Sequence, residues 1–384
     1  PRPSEVQGFM VMAVVRAAAG QERAGRSVIH MEVGQPGTPA PEAAKRAAIA
    51  AIQSDTLGYT LALGNEALRR RIAEHYRDWY GVSVAPERIV VTTGSSAAFV
   101  LAFLAAFDVG DGVALASPGY PCYRHILSAL GQRPVLIETG PDTGWAPTVD
   151  SVARAAANDG VRGLLLASPA NPTGTLVAPE RFAELAAACR AHGLWLISDE
   201  IYHGLTYGCA AQSALQLSDD AIVINSFSKF FSMTGWRIGW MVVPERLTGA
   251  IERLAQNLYI SAPAIAQAAA LGAFDGLEEL EANRAVYEAN RALLLEELPK
   301  AGFSAFAPAD GAFYLYCDVG EMTNDAVAFA RAMLEETGVA TTPGLDFDAE
   351  RGHRFLRFCY AGTRQDMAEA AHRLKQWAPT RRQR

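Results

Sequence analysis

The chain has 384 residues, of which 50% are hydrophobic and 20% are charged, and its net charge is −7. This length predicts two or three domains, and the acidic balance disfavours nucleic acid as the main partner, because that would favour a basic face. No apolar run approaches the roughly 18 residues of a membrane span, and the N-terminus lacks a secretory pattern. The five cysteines are scattered without a CxxC pair, which predicts a reduced, cytoplasmic protein with no metal site and no disulfide framework.

Residues 1–41 contain one helical stretch, and we expect them to pack with the C-terminal part of the chain. Between residues 42 and 275, apolar runs alternate with helical stretches such as 65–79 and 179–192. Most of these runs lack polar alternation, which is typical of strands buried on both faces. The predicted strands are 88–93, 113–117, 135–137, 161–167, 194–198, 221–226 and 238–243. This order predicts an α/β fold, with a mainly parallel seven-stranded sheet covered by helices.

The pattern changes near residue 276. A long charged helix over 276–298 precedes two alternating strands, 312–318 and 353–360, with a helix between them. We therefore predict a large domain over 42–275 and a smaller α+β domain over 276–384. The basic tail, 380–384, is expected to be solvated.

Polar residues follow five of the predicted strands, at the point where each strand ends. Ligands of open α/β sheets bind outside the carboxyl ends of the strands, so these segments are expected to form one site. The segments are 94–97, 118–123, 168–174, 199–202 and 227–229.

Lys229 is one of only four lysines in a chain that has thirty arginines. Most lysines lie on the surface, but this one follows a buried strand and stands between Ser228 and two phenylalanines. A lysine amine becomes a nucleophile or a Schiff-base partner when its surroundings lower its pKa. Lys229 is therefore a candidate for covalent chemistry.

Asp199 ends an apolar run and allows two interpretations. It is either the N-cap of a helix or a buried carboxylate with a cationic partner, such as a protonated pyridine nitrogen. Tyr120 either stacks on an aromatic ring or packs in a surface turn, and Asn171 precedes Pro172 in what is otherwise a simple turn.

Several residues suit anions. Gly94, Ser95 and Ser96 open a helix, whose N-terminus favours phosphate, although no dinucleotide or P-loop motif occurs. Arg237 follows Trp236 in an apolar stretch, which predicts an anionic partner. Arg357 lies in a strand, where a structural ion pair and a substrate carboxylate are both open.

The phrase Ser226-Phe-Ser-Lys229, followed by Met233-Thr-Gly-Trp-Arg237-Ile-Gly, resembles the cofactor-attachment signature of fold-type-I pyridoxal-phosphate (PLP) aminotransferases, the aspartate aminotransferase superfamily. Asn171-Pro-Thr-Gly174, Asp199-Glu-Ile-Tyr202 and the late Arg357 resemble its other landmarks, in the expected order. The resemblance covers nearly the whole chain, although some lyases and synthases share the lysine signature.

The resemblance implies a role for each matched residue at the cofactor. Lys229 forms the Schiff base and moves the proton, Asp199 holds the pyridine nitrogen protonated, and Tyr120 stacks on the ring. Asn171 and Tyr202 contact the 3′-oxygen of the ring. The residues that match phosphate-binding positions are Ser95, Ser96, Ser226, Ser228 and Arg237.

The resemblance also implies contacts beyond the cofactor of one subunit. Gly34, Asn171 and Arg357 are the implied substrate-binding residues, of which Gly34 and Arg357 bind the α-carboxylate of the substrate. Tyr59 reaches the phosphate held by the other subunit of a homodimer. The expected reaction moves the amino group of an L-amino acid to a 2-keto acid by a ping-pong mechanism, while the side chain of the amino acid is not readable from the sequence.

Two alternatives to this function stay open. One is a PLP-dependent β-lyase of the C–S lyase type, because the same motifs serve elimination. The other is a non-catalytic PLP-binding regulator, in which such a domain is fused to a DNA-binding module. The aminotransferase-like region is expected to begin by about residue 4, which leaves no room for that module.

Overall fold

The computed structural model describes residues 6, 8–54, 56–158 and 160–378. The predicted basic tail and the expected start of the family-like region lie outside these residues. The helices among them are α1 Met10–Arg23, α2 Glu42–Ser54, α3 Glu66–Tyr80, α4 Gly94–Ala106, α5 Pro121–Leu130, α6 Val149–Asn158, α7 Pro179–Ala191, α8 Glu245–Leu258, α9 Ala264–Ala273, α10 Leu277–Glu297, α11 Ala326–Thr337 and α12 Arg364–Trp377. No helix in this part of the chain combines the length and the apolarity that crossing a membrane requires.

The strands divide into one large sheet and smaller ones. In chain order they are β1 Ile29–His30, β2 Ile89–Thr92, β3 Gly112–Ser117, β4 Arg133–Glu138, β5 Val161–Ala167, β6 Trp195–Asp199, β7 Ile222–Ser226, β8 Gly239–Val242, β9 Ala305–Phe306, β10 Tyr314–Asp318, β11 Val339–Ala340, β12 Thr342–Pro343 and β13 Phe355–Cys359.

The large sheet has seven strands in the order β2-β8-β7-β6-β5-β3-β4. Strand β8 runs antiparallel to both of its neighbours, while the pairs among β7, β6, β5, β3 and β4 are parallel. Strands β2, β7 and β8 are buried at every position, since helices cover both faces of the sheet. The predicted α/β fold and mainly parallel seven-stranded sheet are confirmed, with strand boundaries shifted by at most two residues.

A four-stranded antiparallel sheet, β12-β13-β10-β9, forms in the C-terminal part of the chain. The described part of the N-terminal segment contacts this part of the chain: β1 pairs with β11 in a separate two-stranded parallel sheet, and the backbone N–H of Cys359 donates to the Met31 carbonyl at 2.7 Å. The division into domains, including the packing of residues 1–41 with the smaller domain, stays a prediction. The two-residue strands β1, β9, β11 and β12 are too short for a hydrophobic pattern to reveal.

Two features of the fold position the functional residues. Strands β2, β3, β5, β6 and β7 share one direction, so the segments that follow them meet at one edge of the large sheet. The face of β10 and β13 that carries Tyr314 and Arg357 turns toward the same edge, where both side chains line a common cavity.

Candidate active site

A cavity of about 290 Å³ lies at the carboxyl edge of the large sheet. Most of the residues singled out from the sequence line it together, although they come from segments scattered over more than 300 positions. These residues are Gly34, Ser95, Ser96, Tyr120, Asn171, Asp199, Tyr202, Ser228, Lys229, Arg237 and Arg357. Tyr59 and Ser226 do not line it.

Lys229 reaches the cavity from the turn that follows β7. Its Nζ donates to the Gly34 carbonyl at 2.5 Å and lies 5.8 Å from the ring centre of Tyr202. Because burial disfavours the charged amine, the pKa of Lys229 is lowered to about 8. An appreciable fraction of this amine is therefore neutral, and nucleophilic, near neutral pH.

Asp199 is buried at the end of β6. Its Oδ1 accepts from the Ile201 backbone N–H at 3.0 Å, and its Oδ2 accepts from the Tyr123 hydroxyl. Burial raises the pKa of this carboxyl to about 6. A turn over residues 201–204 follows it instead of a helix, so the N-cap interpretation does not apply, and a cationic partner for the carboxylate is favoured.

The opening of α4 forms the anion-binding end of the cavity. No side chain caps this helix, so the amides of its first turn are available to an anion. A Cβ on Gly94 would lie 2.3 Å from Nη2 of Arg237, which explains why a glycine stands where the guanidinium packs. Arg237 is exposed, and it follows the turn Thr234–Trp236 at the lining of the cavity.

Ser226 lies behind the cavity and is buried. Its Oγ accepts from the Ser228 backbone N–H at 3.1 Å and lies 2.9 Å from the Ser228 Oγ and 3.0 Å from the Ile238 carbonyl. Ser226 thus orients Ser228, which does line the cavity.

Arg357 is 4% exposed and stands on β13. Its Nη1 donates to Asn171 Oδ1 at 2.9 Å and its Nη2 to the Glu32 carbonyl at 2.6 Å. Within the described residues it forms no ion pair, which disfavours the structural alternative. A buried cation held only by neutral acceptors favours an anionic ligand.

Tyr314 was not singled out from the sequence, yet it stands at the centre of the site. Its hydroxyl lies 2.7 Å from the Tyr202 hydroxyl, and its ring lies 4.4 Å from Cζ of Arg357. A Cβ on Gly34 would lie 2.0 Å from the Tyr314 hydroxyl oxygen. The only signal was a tyrosine in a predicted strand, and that is too common to indicate a site.

A group of apolar side chains, which we call the apolar wall, lines another side of the cavity. No motif marked these residues in the sequence. The apolar wall consists of Phe9, Val11, Met12, Val33 and Phe347.

Known proteins are similar to this chain in both sequence and fold. Residues 26–374 match the profile of the family described as aminotransferase class I and II. A valine–pyruvate aminotransferase of Mycobacterium tuberculosis is 48% identical over 379 residues, which cover 98% of this chain and 97% of the relative.

Solved structures agree with these sequence matches. The crystal structure of an aminotransferase from Mycobacterium tuberculosis has a TM-score of 0.96 and 47% identity, and covers 98% of both chains. The aspartate aminotransferase from Thermus thermophilus, solved with maleate, has a TM-score of 0.92 and 32% identity, also over 98% of both chains. Together with the sequence matches, these likenesses confirm the resemblance. The chain belongs to the class I and II aminotransferases of the aspartate aminotransferase superfamily, and it moves an amino group from an amino acid to a keto acid.

Proposed function

We propose that this aminotransferase binds PLP covalently through Lys229 and works by a ping-pong mechanism. One observation carries the proposal: a lysine amine with a lowered pKa shares a cavity with a buried carboxylate, Asp199, and a buried guanidinium, Arg357, that forms no ion pair with any residue the structure describes. When bound, PLP supplies an electron-withdrawing ring that stabilises negative charge at the α-carbon of an amino acid.

The residues of the cavity fit the chemical groups of PLP. The uncapped amides of α4, the hydroxyls of Ser95, Ser96 and Ser228, and the guanidinium of Arg237 offer donors and charge to the phosphate, while Ser226 orients Ser228. Tyr120 offers an aromatic face to the ring.

Polar side chains of the cavity fit the ring itself. Asp199 offers a carboxylate to the ring nitrogen, and an opposite charge within about 4–6 Å favours the charged form of both groups. Asn171 and Tyr202 offer donors to the 3′-oxygen. The Tyr314 hydroxyl, in turn, fixes the hydroxyl of Tyr202.

Proton transfer belongs to Lys229 and substrate orientation to Arg357. The neutral Nζ of Lys229 would take the proton from the α-carbon of the amino acid and later return it, a general acid–base role that typically contributes about 10²–10⁴-fold to the rate. Arg357 and Gly34 bind the α-carboxylate, because the guanidinium fork matches carboxylate geometry.

We infer that the amino donor has an aliphatic side chain, such as that of valine, and that pyruvate is an acceptor. The apolar wall suits such a side chain, and the relative with 48% identity is named valine–pyruvate aminotransferase. A dicarboxylate donor would need a second cation near its side chain. Within the described residues, the arginines that line the cavity are Arg237 and Arg357, and both are already used in the proposal.

We also propose a cytoplasmic homodimer. Tyr59 is 85% exposed and Leu61 is 68% exposed, as expected for side chains that a second copy covers. In this dimer, Tyr59 contacts the phosphate that is held by the partner subunit. The cytoplasmic location is supported by the five cysteines, all of which are free thiols.

Chemical labelling tests the covalent link. After reduction with borohydride and digestion, the pyridoxyl group should be found on Lys229, absent from Lys229→Arg, and unchanged in the surface control Lys45→Arg. The rate at which cofactor-free protein forms the link should rise as the pH rises through about 8, because the neutral amine is the reactive form. A label on another lysine would contradict the assignment.

Product analysis separates transamination from elimination. Valine and pyruvate should yield alanine and the keto acid of valine, with the parallel double-reciprocal plots of a ping-pong mechanism. Faster release of pyruvate and ammonia from a β-substituted amino acid, without any keto acceptor, would instead identify a β-lyase.

A further inference from the structure

The start of α1 forms part of the proposed substrate pocket. It contributes Phe9, Val11 and Met12 to the apolar wall. The ring of Phe9 stacks against Tyr120, with centroids 6.4 Å apart and 19° between the ring planes. Since Tyr120 is the proposed neighbour of the cofactor ring, the first turn of α1 borders the space that a substrate side chain occupies.

This helix has no cap of its own. The N-cap residue, Phe9, makes no side-chain hydrogen bond to the first turn, which also lacks an acidic residue. The carboxylate of Asp346 takes that role: the Met10 N–H donates to Oδ1 at 3.0 Å and the Val11 N–H to Oδ2 at 3.2 Å. It satisfies two of the N–H groups that a helix start leaves unpaired, and its charge complements the helix dipole.

Asp346 is itself held firmly. It ends the turn Gly344–Asp346, directly after β12, and is 5% exposed. Arg124, on α5, donates from Nη2 to the Asp346 carbonyl at 2.7 Å and from Nη1 to the Phe347 carbonyl at 3.4 Å. The carboxylate therefore links the first turn of α1 to the turn Gly344–Asp346, which Arg124 holds against α5.

We propose that Asp346 is a positioning residue for substrate specificity, because it holds the α1 part of the apolar wall, Phe9, Val11 and Met12, against the side chain of the amino donor. This inference rests on the proposed aliphatic specificity. Without the carboxylate, the first turn of α1 loses its cap, and these three side chains move away from the pocket. A branched donor then loses its contacts, whereas alanine, whose methyl group is short, loses little.

Steady-state kinetics with two donors test this role. In Asp346→Ala, KM for valine should rise and the preference for valine over alanine in kcat/KM should fall by about tenfold, the discrimination that one or two methyl groups provide. The loss in kcat/KM should be larger for valine than for alanine. Asp346→Asn keeps one oxygen that can accept from one of the two amides, so its valine preference should lie between those of the parent and of Asp346→Ala. If the alanine variant does not fold, the asparagine variant is measured in its place.

Asp325→Ala is the matched control. Asp325 caps α11 by accepting from the Ala328 N–H at 2.9 Å, so its loss removes a comparable cap away from the cavity, and the valine preference should not change. Hydrogen exchange at residues 10–12 should accelerate in Asp346→Ala and not in Asp325→Ala.

Three outcomes would overturn the inference, and they are distinguishable. Unchanged exchange at residues 10–12 would show that Asp346 does not hold α1. Faster exchange with an unchanged valine preference would show that the α1 part of the apolar wall does not contact the side chain of the donor. A parent enzyme without any preference for branched donors would overturn the proposed substrate class, and with it the specificity role.

Discussion

Asp199 is the residue on which the proposed chemistry of the ring depends most. Asp199→Asn keeps the size and the hydrogen bonding of the side chain but removes the charge that favours a protonated ring nitrogen. We expect the variant to retain PLP on Lys229 and to lose about a hundredfold to a thousandfold in transamination rate. Single-turnover absorbance measurements with the amino donor check this.

Asp199→Glu provides the comparison for that variant. It should lose less activity, because the charge survives in a poorer position. If Asp199→Asn binds the cofactor and turns over near the parental rate, the ring nitrogen is not the partner of this carboxylate.

Gly34 and Tyr314 lie so close together that a side chain at position 34 would clash with the tyrosine. A Cβ at Gly34 would lie 2.0 Å from the Tyr314 hydroxyl oxygen and 3.0 Å from its Cζ. Gly34→Ala should therefore displace the carbonyl that accepts from Lys229 Nζ and raise KM by about tenfold or more, since small misplacements at a site are amplified. Adding Tyr314→Phe removes the nearest atom and should restore part of the affinity. A double variant no better than Gly34→Ala would locate the defect elsewhere.

At the scale of elements, the close approach of β8 to the start of α4 positions the anion-binding end of the site. Gly239 begins β8, and a Cβ there would lie 2.9 Å from the Asn225 carbonyl oxygen and 3.0 Å from the Ser95 nitrogen. Gly239→Ala should push α4 away, lower the free energy of unfolding by about 1–3 kcal/mol, and weaken the binding of inorganic phosphate and PLP. Thermal unfolding and ligand titration check both effects.

Gly235 supplies a control within the same segment. A Cβ at Gly235 would meet nothing within 4 Å, so Gly235→Ala should change the free energy of unfolding by less than about 0.5 kcal/mol. Equal effects of the two substitutions would mean that chain flexibility, and not the contact between β8 and α4, is responsible.

At the scale of the whole molecule, the proposed dimer links two active sites through Tyr59. Light scattering should give twice the 41.1 kDa of one chain. Tyr59→Phe should leave that mass unchanged and weaken PLP binding by about tenfold, because one hydrogen bond to a charged phosphate is lost. An active monomer, or a phenylalanine variant with parental affinity, would contradict this assembly.

The sequence by itself determined the large sheet and most of the candidate site. The strands of the sheet appear as local apolar runs, and residues such as Lys229 and Asp199 stand directly after them, so both are encoded by neighbours in the chain. Each residue's role stays a prediction that the variants above test.

Only the tertiary structure decided the contacts between distant segments. The pairing of β1 with β11 involves two residues from each strand, which is too short for any period to register. Tyr202 and Tyr314 meet across 112 positions, and Val11 and Asp346 across 335. No local pattern links such pairs, because hydrophobic periodicity indicates which face of an element is buried but not which residue of another element it will contact.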